Sequence, residues 1–166
     1  IVEFLINKNC KAIIIACNSA SAVASEQINQ QVKKKALVFN VIDPVVDYIK
    51  NAKHLKQIGV IGTNATIDSN VYAAKIKSFR SDIKVSSLAT PLLANLIEED
   101  NQKLYTKGIL DSYLKNQILT KIDSLILGCT HYPLITSRIN EFFNSQVEII
   151  NSIEYVTNKI KNNLQS

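Results

Sequence analysis

A chain of 166 residues, 46% apolar and 20% charged, has the makeup of a globular protein with room for one ordinary domain or two small lobes. The formal charge of +5 is spread along the sequence, and the single basic run, Lys33-Lys34-Lys35, carries no interleaved aromatics, so no nucleic-acid partner is expected while an anionic small substrate is favoured. No apolar run approaches the roughly 18 residues of a membrane span, no cleavable leader is recognisable, and three cysteines make no disulfide framework, so a cytoplasmic protein with reduced thiols and no membrane partner is expected.

The opening Ile1-Val2-Glu3-Phe4 reads as the interior of an amphipathic helix without a cap, as if a segment preceded it. After a Lys8-Asn9-Cys10-Lys11 connection, in which Cys10 is given no role, β-rich apolar runs alternate with helix-length segments. Strands are expected over 12–16, 37–42, 58–61, 85–88, 124–127 and 147–150. Helices are expected over 21–32, 45–53, 67–79, 92–99, 104–119, 134–143 and 153–163, with Pro44, Pro91 and Pro133 at helix starts, where a missing N–H is tolerated. This is the pattern of α/β units around mainly parallel sheets. A lobe boundary is placed near Pro44, where a fresh strand–turn–helix unit follows. Gly59 and Gly62 lack the G-x-G-x-x-G spacing of a dinucleotide loop and read as a tight turn beside Thr63 and Thr66.

Two of the cysteines occupy equivalent places. Cys17 follows the strand over 12–16 and precedes Asn18-Ser19-Ala20-Ser21, the start of a helix, which puts the thiol at the carboxyl end of a parallel strand, the ligand-facing edge of an open α/β sheet. A helix N-terminus there offers free N–H groups that favour a thiolate and bind a carboxylate, and Asn18 and Ser19 add side-chain donors. Cys129 repeats the arrangement: the strand over 124–127 leads through Gly128 to Cys129-Thr130-His131-Tyr132-Pro133, with His131 close enough in sequence to influence the thiol or a substrate carboxylate. A single cysteine at such a turn is more often an inert core residue; the pair, each followed by hydrogen-bonding residues, tilts the balance toward chemistry. There is no C-x-x-C pair and no zinc spacing, so no metal is expected.

A-C-N-S-A-S-A at 16–22 and G-C-T-H-Y-P-L at 128–134 resemble the two cysteine motifs of glutamate racemases, and G-V-I-G-T-N-A-T at 59–66 resembles the family's intervening threonine turn. The resemblance covers nearly the whole chain. It implies an α/β fold of two similar lobes, each a mainly parallel sheet flanked by helices, with the first lobe (residues 1–44 plus 151–166) incomplete and the second spanning 45–150. It also implies a cofactor-independent two-base racemisation of glutamate, in which one cysteine removes the α-proton and the other reprotonates the opposite face, supplying D-glutamate for peptidoglycan synthesis. Cys17, Cys129 and His131 match catalytic positions. Asn18, Ser19, Thr63, Thr66, Thr130 and His131 match substrate-binding or proton-transfer positions, and Glu98, beside Glu99, matches an acidic assistant.

Departures from the pattern are also visible. The family's Asp-Ser-Gly and Pro-Tyr-Gly turns do not occur here, Ser19 stands where threonine is commoner, Asp43 where glutamate is, and Asn151-Ser152 where an Asp-Ser-Gly-like stretch is usual. Little or no racemase activity is therefore expected of the chain by itself, because in the family the acidic partner of the cysteine matching Cys17 belongs to the first of those turns. The expected partners are glutamate and, for assembly, a second copy in a homodimer. The competing readings are a racemase for a related amino acid or hydantoin, and a non-catalytic ligand-binding or interaction protein of the same fold.

Overall fold

The computed structural model describes residues 1–99 and 103–164, without the side chains of 103–106 and 164. The chain begins with α1 (Val2–Asn7), β1 (Ala12–Ile15), α2 (Asn18–Val32) and β2 (Leu37–Asn40). β1 and β2 form a two-stranded parallel sheet, registered from Ala12 opposite Leu37 to Ile15 opposite Asn40. Asn40 ends β2 and starts the next helix: its Oδ1 accepts from the backbone N–H of Ile42 at 2.9 Å and of Asp43 at 2.8 Å, while its Nδ2 donates to Asp43 Oδ2 at 2.7 Å. This Asx turn, with Pro44 in the first turn, begins α3 (Asp43–Asn51).

The second part contains β3 (Gln57–Gly62), α4 (Asn64–Asp68), α5 (Val71–Lys77), β4 (Lys84–Ala89), α6 (Leu93–Glu98) and α7 (Lys103–Leu114). It continues with a 3₁₀ turn at Gln117–Leu119, β5 (Ser124–Gly128), a second 3₁₀ turn at Tyr132–Ile135, α8 (Thr136–Phe142), β6 (Glu148–Ile150) and α9 (Ser152–Leu164). Its strands form one parallel sheet in the order β4-β3-β5-β6. Gly62 is level with both Ala89 and Gly128, so the carboxyl ends of β3, β4 and β5 form one edge.

Both faces of this sheet are covered, which is why its central strands read as continuous apolar runs. Alternation divides the core: Ile58, Val60 and Ile126 pack with Val45, Ile49, Tyr72 and Ile76. Ile61, Leu125 and Leu127 point the other way, onto Leu93, Leu110, Leu119 and Ile139. Ile58, Ile61, Leu125 and Ile126 are fully buried, each worth about 1.5–3 kcal/mol relative to exposure. Among the described residues no helix is long and apolar enough to cross a membrane.

Three expected helices are subdivided. The one over 67–79 breaks at Ser69-Asn70, where Asn70 is left-handed at φ 54°. Ser69 Oγ donates to Thr66 O at 2.7 Å and accepts from Val71 N at 3.3 Å, local bonds that compete with the helical ladder. The helix over 104–119 ends at Leu114, and Asn116 then caps the first 3₁₀ turn by accepting from Ile118 N at 3.0 Å. The one over 134–143 is preceded by the second 3₁₀ turn, in which Pro133 takes an early position, and regular α-helix starts only at Thr136. α2 starts earlier than expected, at Asn18, directly after Cys17.

Candidate active site

Cys17 is the N-cap residue of α2, exposed and in extended conformation at the end of β1. Ser21, one turn into the helix, fixes this corner: its Oγ donates to Ile15 O at 3.0 Å and accepts from Val41 N at 3.4 Å, and its own N–H donates to Cys17 O at 2.8 Å. The first turn of α2 has backbone N–H groups without intrahelical acceptors, beside the thiol. Asn18 turns inward and is 1% exposed.

Ser19 reaches across to the end of β3. Its Oγ is 2.7 Å from Thr63 Oγ1 and 3.3 Å from Thr66 Oγ1, and the two threonine hydroxyls are 3.2 Å apart. Thr63 is where it is because it caps α4, accepting from Thr66 N at 3.3 Å. The result is a triangle of three hydroxyls, all able to donate or accept, joining the cysteine turn of the first sheet to the central strand of the second.

Cys129 follows β5 and is buried. The strand ends behind it come together only because glycines stand there: a Cβ on Gly128 would lie 2.7 Å from Ile61 O, and one on Gly62 would lie 3.0 Å from Gly128 O and 3.3 Å from Thr66 Cβ. The turn after Cys129 is fastened by fully buried Tyr132, whose hydroxyl lies 2.7 Å from Thr90 Oγ1 and donates to Thr90 O at 3.1 Å, while Thr90 Oγ1 donates to Gly62 O at 3.1 Å. Cys129 Sγ is 3.5 Å from His131 Nδ1, and His131 Nε2 is 2.7 Å from Glu98 Oε1. Of the two adjacent carboxylates at the end of α6, Glu98 therefore meets the imidazole. Thr130 is half-buried between Cys129 and His131.

Burial pushes the Cys129 thiol above its ordinary range. The backbone N–H of His131 opposes this, and charges on Cys17 and Glu98 reinforce it. The two thiols are thus close enough for a charge on one to act on the other. Cys10 precedes β1, at the end opposite Cys17. The sequence-based candidates accordingly gather in two groups, Cys17-Asn18-Ser19 with Thr63 and Thr66, and Cys129-Thr130-His131 with Glu98. The sequence pattern does not single out Tyr72, Thr90 or Tyr132 as site residues. Tyr72 reads in sequence as a core position of a helix, and nothing there shows that its hydroxyl reaches Asn18, 2.7 Å away. Among the described residues no group of three or more His, Cys, Asp or Glu could hold a metal ion.

The model of the Asp/Glu/Hydantoin racemase family matches residues 1–160. A glutamate racemase of Streptococcus gordonii is 38% identical over 154 residues, covering 92% of this chain and 57% of its own length. One from Streptococcus pneumoniae is 39% identical over 153 residues, with the same shares. Among solved structures, the glutamate racemase of Francisella tularensis in complex with D-glutamate superposes with a TM-score of 0.87 at 34% identity, covering 98% of this chain and 60% of that one. An isoform from Bacillus anthracis gives 0.89 at 35%, covering 99% and 61%. The chain spans a little under three fifths of the curated relatives it matches. It belongs to the Asp/Glu/Hydantoin racemase family.

Proposed function

We propose, for a chain that belongs to the Asp/Glu/Hydantoin racemase family, that its two cysteine turns are the opposed acid and base of a glutamate racemase. The observation that carries this reading is the pairing of an exposed thiol at a helix N-cap with a second, buried thiol on a His131–Glu98 line, each at the carboxyl end of a parallel strand.

In this reading the Sγ of Cys17, as thiolate, takes the proton from Cα of one enantiomer, and the C–H electron pair passes into the conjugated α-carboxylate. The S–H of Cys129 then gives its proton to the opposite face, leaving Cys17 as thiol and Cys129 as thiolate. His131, held by Glu98, exchanges protons at Cys129, and the other enantiomer reacts through the same steps reversed. Burial suits Cys129 to carry a proton at rest. The α-carboxylate is bound by the first turn of α2 with Asn18 and Ser19, and Thr63, Thr66 and Thr130 supply further donors. No cofactor enters these steps.

The division into a first lobe of residues 1–44 plus 151–166 and a second of 45–150 belongs to the same proposal; residues 100–102 and 165–166 lie outside the described residues. So do cytoplasmic operation, homodimer assembly and the supply of D-glutamate to peptidoglycan synthesis. The test is deuterium entry at Cα of L- and D-glutamate in D₂O, measured on this sequence joined to a relative's segment that carries the Asp-Ser-Gly and Pro-Tyr-Gly turns. Exchange into both enantiomers, with racemisation abolished in Cys17→Ser and in Cys129→Ser, supports the proposal. Racemisation near the starting rate in Cys17→Ser would indicate a one-base mechanism and defeat it.

A further inference from the structure

Among the described residues, Asn18 Nδ2 is the buried side-chain nitrogen or oxygen without a hydrogen-bond partner. A buried amide N–H left unpaired is costly, so such a group needs an explanation in a ligand or a neighbour. The other end of the same carboxamide is firmly held: Asn18 Oδ1 accepts a 2.7 Å hydrogen bond from the hydroxyl of Tyr72, on α5. Tyr72 is 2% exposed, and its ring packs in the core cluster between the sheet and α3.

The two ends of an asparagine differ in only one respect, that one accepts and the other donates. A buried phenol keeps its proton, here all the more because burial, with the charge of Asp43 second, pushes Tyr72 above the ordinary tyrosine range. That proton needs an acceptor, and Asn18 supplies one only when Oδ1 faces the ring. Turned half-way round, the carboxamide would offer the phenol a donor and leave the O–H proton without that acceptor. Tyr72 therefore selects one of the two orientations, and in the selected one Nδ2 is on the side of the carboxamide turned from the phenol, on the first residue of α2 and directly after Cys17.

We infer that Tyr72 is a positioning residue for ligand binding: it locks the Asn18 carboxamide with Nδ2 presented to an acceptor-only group, a carboxylate, at the N-terminus of α2. This rests on the reading of that turn as the glutamate carboxylate site. It adds a residue 54 positions distant in sequence whose hydroxyl touches no ligand and acts only through Asn18.

The lock is tested in ¹⁵N-labelled protein with Tyr72→Phe, which keeps the ring and removes the hydroxyl. The Asn18 side-chain amide pair is identified by its loss in Asn18→Ala, and L-glutamate is titrated into wild type, both single variants and the double variant. The lock predicts faster hydrogen exchange of the Asn18 pair in Tyr72→Phe without ligand, and glutamate binding weakened about tenfold, the scale of one hydrogen bond to a charged group. In the Asn18→Ala background the same substitution should change affinity less than about twofold, because there is no carboxamide left to orient. An Asn18 pair unaffected by Tyr72→Phe, or equal weakening with and without Asn18, overturns the inference. If wild type shows no glutamate-dependent shift, the proposed function fails, and the ligand-free exchange rates still decide for or against the lock.

Discussion

The Sγ of Cys129 stands 3.5 Å from the Nδ1 of His131, and the far side of the same ring is held by Glu98 at 2.7 Å. An imidazole held at both nitrogens is aligned to pass a proton along that line. Replacing His131 with Ala is expected to slow deuterium entry into glutamate by about 10²-fold, the lower range for a positioned acid–base group. Glu98→Gln, which keeps the shape and removes the charge, should cost about tenfold, as removal of an orienting partner does. The check is ¹H NMR of the α-proton signal in D₂O. A loss under twofold in His131→Ala would remove the histidine from the mechanism.

The two thiols should also differ toward an alkylating agent. The thiolate is the reactive form, Cys17 is exposed, and Cys129 is buried with its pKa raised chiefly by that burial. At neutral pH iodoacetamide should label Cys129 at least about tenfold more slowly than Cys17, and the Cys129 rate should still be climbing above pH ~8.5, the ordinary thiol value. Peptide mass spectrometry over a pH series reads both rates; equal labelling at neutral pH contradicts the assignment. Stability carries the same sign. A thiol whose folded pKa is raised contributes stability below its unfolded pKa, and that contribution is lost as pH rises through the folded value. Urea unfolding should thus show wild type losing more stability than Cys129→Ala on the alkaline side of pH ~8.5.

Two glycines give opposite expectations. A Cβ on Gly128 would meet Ile61 O at 2.7 Å, backbone against backbone in paired strands, so Gly128→Ala must part β3 from β5 and should cost about 3 kcal/mol. Gly108, in α7, has nothing within 4 Å of the added atom, so Gly108→Ala should gain about 0.5–1 kcal/mol from helix propensity. Urea midpoints measure both. A Gly128→Ala chain as stable as the parent would mean that the strand ends are not packed as described.

The parts of this architecture set by local pattern could be read from the sequence. β3 and β5 announce themselves as apolar runs because both faces of their sheet are covered, and Cys17 and Cys129 could be placed at strand ends because each follows such a run and precedes polar, helix-starting residues. The break at Asn70 could not, because the apolar period continues through it and a serine hydroxyl decides the matter. Which of Glu98 and Glu99 meets His131 depends on where α6 ends against the turn after β5, a tertiary distance. The bond from Tyr72 to Asn18 joins α5 to α2 across 54 residues of sequence, and no spacing rule reaches that far.

The central claim is that one glutamate lies between Cys17 and Cys129, and the most direct measurement is protection of each cysteine from alkylation by saturating L- or D-glutamate, read peptide by peptide. Either enantiomer should slow labelling of both Cys17 and Cys129 at least about fivefold, as occupancy of a shared site requires, and leave Cys10, at the far end of β1, unchanged. Protection of only one of the two, or of neither, would contradict the account.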